Sequence, residues 1–529
     1  MHFDLLIKDG TIIDGTGKQR FRGDVGVEGG RIKDVAVSGL GNATAKTVIT
    51  AAGKFITPGF IDLTSHADKN WSLFQNPAQD YLLTQGVTTI LVGNCGASLA
   101  PLPSSEDAVA ALRKWTHLSD VTINWLSVAE FLTELEKHRP GVNVATLIGH
   151  GTMRRGILKG AARPLSADEL DQFVFLVKQG ISDGAFGLST GLAYSHEAPA
   201  THQELITLAR AVAEGGGVYK THTRHEGWDL VPAINETLEI GRESKAPVII
   251  SHLKAVGRKV WPSFSNALGM LQRANENGLR FHFDISPYQR TGSFLYLLLP
   301  QWAREGGFEA MCKRIEAADT RGQIIEELRA ETLHPDRYLV ASSAIMGTNG
   351  KTIREVAERM QQPPEEAILE LLLANRGQVT IFGKTLSSKN IEAGLTHPLG
   401  VVASNGSGIS AELVQSGTLV HPRSSGTFPH FLHRFVKEKG LMTWEQGIRK
   451  ITSLPAELVG FRERGTLAKG CHADIAVFDP ERFRDRSTYE NPYVHPEGMD
   501  AVIVNGILAV ENGQLTGAAS GQVLKKTSY

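Results

Sequence analysis

From about residue 60 to residue 405 the chain repeats one pattern: a short apolar run closes on a polar residue, and an amphipathic stretch follows. The runs are TTILVG (88–93), NVATLIG (143–149), AFGLST (185–190), GVYKTH (217–222), PVIISH (247–252), RFHFDI (280–285) and GVVASN (400–405). Apolar runs of this length read as buried strands. The stretches between them read as helices. SADELDQFVFLVKQG has Ser166 as an N-cap, and in THQELITLARAVAEGG Thr201 and Glu204 fit a reciprocal capping box. Strand–helix alternation over about 350 residues predicts a parallel α/β barrel. The segment from about 291 to 375 breaks the rhythm, holds helical pieces such as FEAMCKRIEAAD, and reads as an insertion.

Both chain ends have a different texture. FDLLIKDGTIID and GDVGVEGGRIKDVAV at the start, and ADIAVFDP and AVIVNGILAVENGQ near the end, are short strand patterns with turn signals. Those signals are Asp9-Gly10, Gly29-Gly30, Asn505-Gly506 and Asn512-Gly513. Chain termini often lie close together. Residues 1–55 with 462–529 are therefore expected to form one small β domain, and 56–461 the barrel.

Composition narrows the function classes. The 529 residues are 41% hydrophobic and 21% charged, with a net charge of -1 and no long basic run. That argues against nucleic acid or an anionic membrane as the main partner. The start, MHFDLLIKDG, lacks a signal-peptide pattern, and no apolar stretch is long enough to span a bilayer. Three widely spaced cysteines, Cys95, Cys312 and Cys471, suit a reduced, cytoplasmic setting. Oligomeric state is not legible.

In barrels of this type active sites gather at the C-terminal ends of strands. The polar residues there are His66, Cys95, His150, His222, His252, Asp284 and Asn405. In PGFIDLTSHADKN, Asp62, Thr64, His66 and Asp68 stand two apart, so an extended strand would present them on one face. Cys95, His222 and His252 each close an apolar run. A thiolate and two imidazoles are a natural zinc set that leaves a position open for water. Against this, a lone strand-end histidine is usually a hydrogen-bonded core residue and a lone cysteine a small hydrophobe. GTNGKT (347–352) is not a phosphate loop, because the first glycine of that motif would fall at Ile345.

Several segments together resemble one family. PGFIDLTSHAD, GVTTILVGNCGASLAP, LSTGLAYS, YKTHTRHEG, VIISHLKAVG, HPRSSGTFPHFL and ITSLPAELVGFRERGTLAKGCHADIAVFDP are similar, in order, to the D-aminoacylase (N-acyl-D-amino-acid deacylase) family of the amidohydrolase superfamily. The resemblance implies a distorted (β/α)₈ barrel with a small β domain from both chain ends. It implies one tightly held zinc on Cys95, His222 and His252, and a carboxylate-bearing small-molecule substrate gripped by Lys254, Tyr288 and Arg423, with Tyr194 nearby. Two departures stand out. The first-strand motif should offer two histidines, and here it offers Thr64 and His66, so a second metal position is expected to be empty. The family usually has an aspartate where Asn405 stands, and a carboxamide cannot do a carboxylate's proton transfer. His66, Asp68, His225 and Glu226 are the substitute acid/base candidates. Lys220 and His150 are read as structural or pocket-lining. The leading reading is a zinc hydrolase of N-acyl amino acids. The alternatives are lactone, ester or lyase chemistry on the same fold, or an inactive ligand-binding relative.

Overall fold

The computed structural model describes residues 1–103, 122–330 and 334–526. Eight short strands form the expected (β/α)₈ barrel: Phe60–Asp62, Val87–Val92, Asn143–Thr146 continued by Ile148–Gly149, Gly187–Gly191, Val218–His222, Val248–Ile250, Phe281–Ile285 and Gly400–Val402. All pairings between neighbours are parallel. The barrel is distorted in two places. Its third strand breaks at Leu147, so that Asn143–Thr146 pairs backward with the second strand and Ile148–Gly149 forward with the fourth. Its first and last strands are joined by a carboxylate: Asp62 accepts from Ser404 N at 2.9 Å and Ser404 Oγ at 2.5 Å. A two-residue parallel pairing, Ser65–His66 with Gly406–Ser407, continues that seam.

The outer helices bury one stripe each, as the patterns predict. Helix Ala167–Ser182 turns Phe173, Val177, Gly180 and Ile181 inward and starts at a full capping box between Ser166 and Glu169. Thr201 caps helix His202–Glu214, but only half of the expected box forms. The Glu204 carboxylate turns instead to His150 and Arg154.

One nine-stranded sheet draws its strands from both ends of the chain, with Phe55–Pro58 joining Ile475–Phe478 to His2–Ile12. Gly29-Gly30, Asn505-Gly506 and Asn512-Gly513 are the expected hairpin turns, all at positive φ. Asp9-Gly10 is not a turn. His2–Ile12 runs through it as one strand with a bulge, where Asp9 takes φ 63° and its N–H bonds Asp24 Oδ1 at 2.8 Å. The interrupting segment also extends past its expected end. Its antiparallel sheet has Thr380–Lys384 in the centre, flanked by Arg290–Phe294 and Tyr338–Ser342. It carries a hydrophobic core of its own around Leu295, Met311, Ile324, Val340, Ile368 and Leu372. No helix among the described residues is long and apolar enough to cross a membrane.

Candidate metal centre and its cavity

Asp62, Thr64, His66 and Asp68 were expected on one strand face, but the strand ends at Asp62 and the four side chains go to four different partners. Asp62 closes the barrel through Ser404. Thr64 Oγ1 donates to Asp284 Oδ2 at 2.6 Å and accepts from Lys220 Nζ at 2.6 Å. His66 Nε2 meets Asn405 Oδ1 at 3.0 Å, and its Nδ1 is buried without a partner. Asp68 Oδ2 accepts from Gly93 N at 2.9 Å while Oδ1 has no partner, and burial pushes its carboxyl up to about 6.

Cys95 sits in the loop after the second strand. Gly93 and Gly96 flank it at φ 75° and 77°, and Cys95 itself takes φ 54°. A Cβ on Gly93 would stand 2.2 Å from Leu147 O, and one on Gly96 only 1.9 Å from Glu197 Oε1. Glycine is thus required on both sides to bring the thiol back over the barrel mouth. Asn94 pins the loop by donating to Leu91 O at 2.7 Å and Ser65 O at 3.1 Å. His222 ends the fifth strand. His252, just past the sixth, is held at φ 40° by its N–H on Asp284 Oδ1 at 2.7 Å.

Cys95, His222 and His252 converge. One ligand atom from each lies within 4.8 Å of the others, and all three residues are buried. Cys95 Sγ is 3.3 Å from His252 Nε2, and the two imidazoles stand nearly perpendicular at 4.5 Å between centroids. His222 Nδ1 is buried with no hydrogen-bond partner. Burial pushes the Cys95 thiol up to about 11, against the charges of Lys220 and Lys69. It also holds both imidazoles below their usual range, hence neutral. Neutral imidazoles and a thiol that must lose its proton to a cation are the donor set of a zinc site. Glu226 stands behind it, with Oε1 at 3.4 Å from His222 Nε2 and 3.2 Å from His252 Nδ1, the outer carboxylate that fixes ligand orientation.

The cluster opens into a cavity that also receives His66, Asp68, Tyr194, Lys254, Asn405 and Arg423. Tyr194 packs edge-on against His222 at 5.0 Å. Asn405 occupies left-handed backbone at φ 50°, which asparagine tolerates. The expected carboxylate receptors divide. Lys254 is already engaged: its ammonium donates to Glu226 Oε1 and lies 2.9 Å from His252 Nδ1. Arg423 is half-buried, its Nε is sealed without a partner, and its guanidinium makes no hydrogen bond or ion pair among the described residues. Burial lowers its pKa to about 10. Tyr288, on the same wall, has a buried hydroxyl with no partner. Lys69, which sequence reasoning passed over, also lines the cavity, and burial lowers its pKa against the charges of Cys95 and Asp68. Its only sequence signal is its place beside Asp68. His150 lies away from the ligand cluster. It opens helix His150–Ile157, fully buried between Glu197 (2.7 Å) and Glu204 (2.9 Å). Burial opposes its charge, but the two carboxylates outweigh it and raise its pKa.

The profile of the amidohydrolase family matches residues 47–510. The chain belongs to that family. This amidohydrolase is 32% identical over 505 residues to N-acyl-D-glutamate deacylase of Alcaligenes xylosoxydans xylosoxydans, covering 95% of this chain and 93% of that one. It is 31% identical over 530 residues to D-aminoacylase of the same organism, covering 99% and 98%. Among solved structures it is similar to N-acyl-D-glutamate deacylase of Bordetella bronchiseptica, complexed with zinc and a phosphonate inhibitor, at TM-score 0.82 and 30% identity, over 99% of this chain and 100% of that one. A D-aminoacylase structure described for its binuclear metal centre, with one-metal activation and second-metal attenuation, superimposes at TM-score 0.83 and 29% identity, over 99% of this chain and 100% of that one. The amidohydrolase is a metal-dependent hydrolase of C–N amide bonds.

Proposed function

We propose that this amidohydrolase cleaves the amide of an N-acyl amino acid, D-configured by likeness to its relatives, with one zinc ion on Cys95, His222 and His252. One observation carries the reading: the guanidinium of Arg423, unpaired among the described residues, lines the cavity of the three-ligand cluster, and an adjoining pocket shared by Arg423 and His252 holds Tyr288 with its unpartnered hydroxyl. A half-buried arginine without an anion, facing a cavity, can receive one, and its fork matches a carboxylate. The Tyr288 hydroxyl adds a donor to the same group. A zinc ion held by the cluster would polarise the amide carbonyl and supply a nucleophilic water near neutral pH. Glu226 and Asp284 hold the two ligand histidines in place from outside. With a carboxamide at Asn405, the group left to move a proton is His66, whose Nε2 is held by Asn405 Oδ1 and whose Nδ1 is free.

Asn405 also favours a second reading, hydrolysis of small esters or lactones, whose leaving oxygen needs protonation less than an amine does. We further place the chain in the cytoplasm, on the strength of three free cysteines. We divide it into 1–55 with 462–529 and a barrel of 56–461. A near-zero net charge supports a small-molecule substrate rather than nucleic acid or membrane.

The test is a panel of N-acyl-D- and N-acyl-L-amino acids, their α-carboxyl methyl esters, and small lactones, with zinc measured in every sample. Hydrolysis of free N-acyl-D-amino acids, falling about 10²-fold or more when the α-carboxyl is esterified, is the expected result. Equal turnover of free and esterified substrates would show that Arg423 does not receive that carboxylate.

A further inference from the structure

The floor of the mouth holds a lysine that the proposed reaction does not use. Lys220 is fully buried, and its ammonium reaches Thr64 Oγ1 at 2.6 Å, Asp284 Oδ2 at 2.7 Å and Ser251 Oγ at 2.8 Å. An ammonium has three N–H donors, so its capacity is filled. The Thr64 hydroxyl is engaged as well, its proton on Asp284 and one lone pair on Lys220. Two residues along the same strand, and so on the same face, stands the ligand His222. The other oxygen of Asp284 takes the N–H of the ligand His252. Lys220 is therefore seated one residue layer beneath the metal cluster and bonded to the groups that support it.

Paired metals in hydrolytic sites stand about 3.5–4 Å apart. The first-strand residues that would supply a second site are Thr64 and His66, and each already has a neighbour, Lys220 on Thr64 and Asn405 on His66. The donors there do not fit a second cation. The proton of Thr64 is on Asp284, His66 Nε2 is on Asn405, and the Lys220 ammonium, a like charge, lies within hydrogen-bond distance of the Thr64 oxygen. A D-aminoacylase of the same fold is nonetheless described with two metals. We propose that Lys220 is the built-in second cation of this amidohydrolase: its ammonium, held by Thr64, Ser251 and Asp284, replaces a second divalent ion and keeps the centre mononuclear. This rests on the one-zinc reading above and names the group responsible for it.

The test counts zinc per chain by elemental analysis after exposure to excess zinc and gel filtration. Four chains are compared: wild type, Thr64→His, the neutral pair Lys220→Met with Asp284→Asn, and the triple variant. Thr64→His places a second imidazole beside His66, and Asp284→Asn avoids stranding a buried carboxylate while keeping an acceptor for His252 N. The expected counts are one, one, one and two. A folded triple variant that still binds one would overturn the role of Lys220 and leave the one-zinc reading standing. Two in Thr64→His alone would do the same, because the ammonium would then be no barrier. Two in wild type would overturn both. Should the neutral pair not fold, Lys220→Gln in the Thr64→His background replaces it, with two zinc ions again expected. Unfolding of both neutral forms would assign Lys220 to the barrel architecture and overturn the proposal.

Discussion

Arg154 and Arg423 are arginines of the same chain, one outside the cavity and one lining it, and the fold treats them in opposite ways. Arg154 is wholly buried and fully engaged: Nη1 on both oxygens of Glu204 at 2.5 and 2.7 Å, Nε on His196 O at 2.8 Å, and Nη2 on Arg163 O. Glu204 in turn carries His150, and His150 carries Glu197. Arg423 has none of this, and Gly292, whose added Cβ would lie 3.2 Å from its Nη2, leaves the space before it open. A partly desolvated charge without a partner in the chain is left to water or to a ligand for its completion. On the function proposed above, the difference is that between architecture and receptor. The same rule sorts the rest of the mouth: Lys220 and Asp284 are completed within the chain, whereas His222 Nδ1, His66 Nδ1 and the Tyr288 hydroxyl are not.

The comparison can be broken most severely at the metal. His222→Ala should remove most bound zinc and all zinc-dependent hydrolysis while the far-ultraviolet circular dichroism stays native, because the barrel core does not depend on the ion. Retained zinc in that variant would exclude His222 as a ligand. Prolonged dialysis of wild type against a strong chelator should have the same effect, reversed by added zinc.

Next in size is Asn405→Asp. Restoring a carboxylate beside His66 should raise amide hydrolysis by about 10²–10⁴-fold, the usual worth of a general base. If the native reaction is ester or lactone cleavage instead, that activity should fall. No change in either, with zinc intact, would put Asn405 outside the reacting centre.

Arg423→Met tests the contrast itself. Carboxylate-bearing substrates should lose about 10²-fold in kcat/KM, mostly as a higher KM. Stability to urea should hold or improve by about 1 kcal/mol, since an unpaired charge gives way to an apolar chain. Glu204→Ala should behave inversely. It strands Arg154 and should cost about 3–5 kcal/mol while zinc content per folded chain is unchanged. If both variants shift stability the same way, the two arginines are not the opposites described. The smallest effect belongs to Thr201→Ala, which removes the N-cap of helix His202–Glu214. It should cost about 1 kcal/mol and leave zinc and kcat/KM untouched.

Local pattern carried the sequence reading a long way. Buried strands are short apolar runs whatever surrounds them, so their order announced the barrel, and residues that close such runs must emerge at its mouth. That is why Cys95, His222 and His252 could be expected at one mouth before any coordinates, and in the fold they converge. The tertiary structure decided the rest, because the deciding partner was far along the chain. Thr64 looked like a defect in a histidine pair until Asp284 and Lys220, 220 and 156 residues away, were seen to claim its hydroxyl. Lys254 was expected to grip a substrate carboxylate, but in the fold its ammonium meets Glu226, and Glu204 looked like half of a capping box until His150 drew it off. Asp9-Gly10 looked like a turn, but pairing on both sides of His2–Ile12 kept the strand straight through a bulge. Periodicity is written in neighbouring residues, and the sequence by itself determined whatever follows from it. Whether a buried polar group is satisfied depends on residues that only folding brings within three ångströms, and that separated the groups of this mouth paired within the chain from those left unpaired among the described residues.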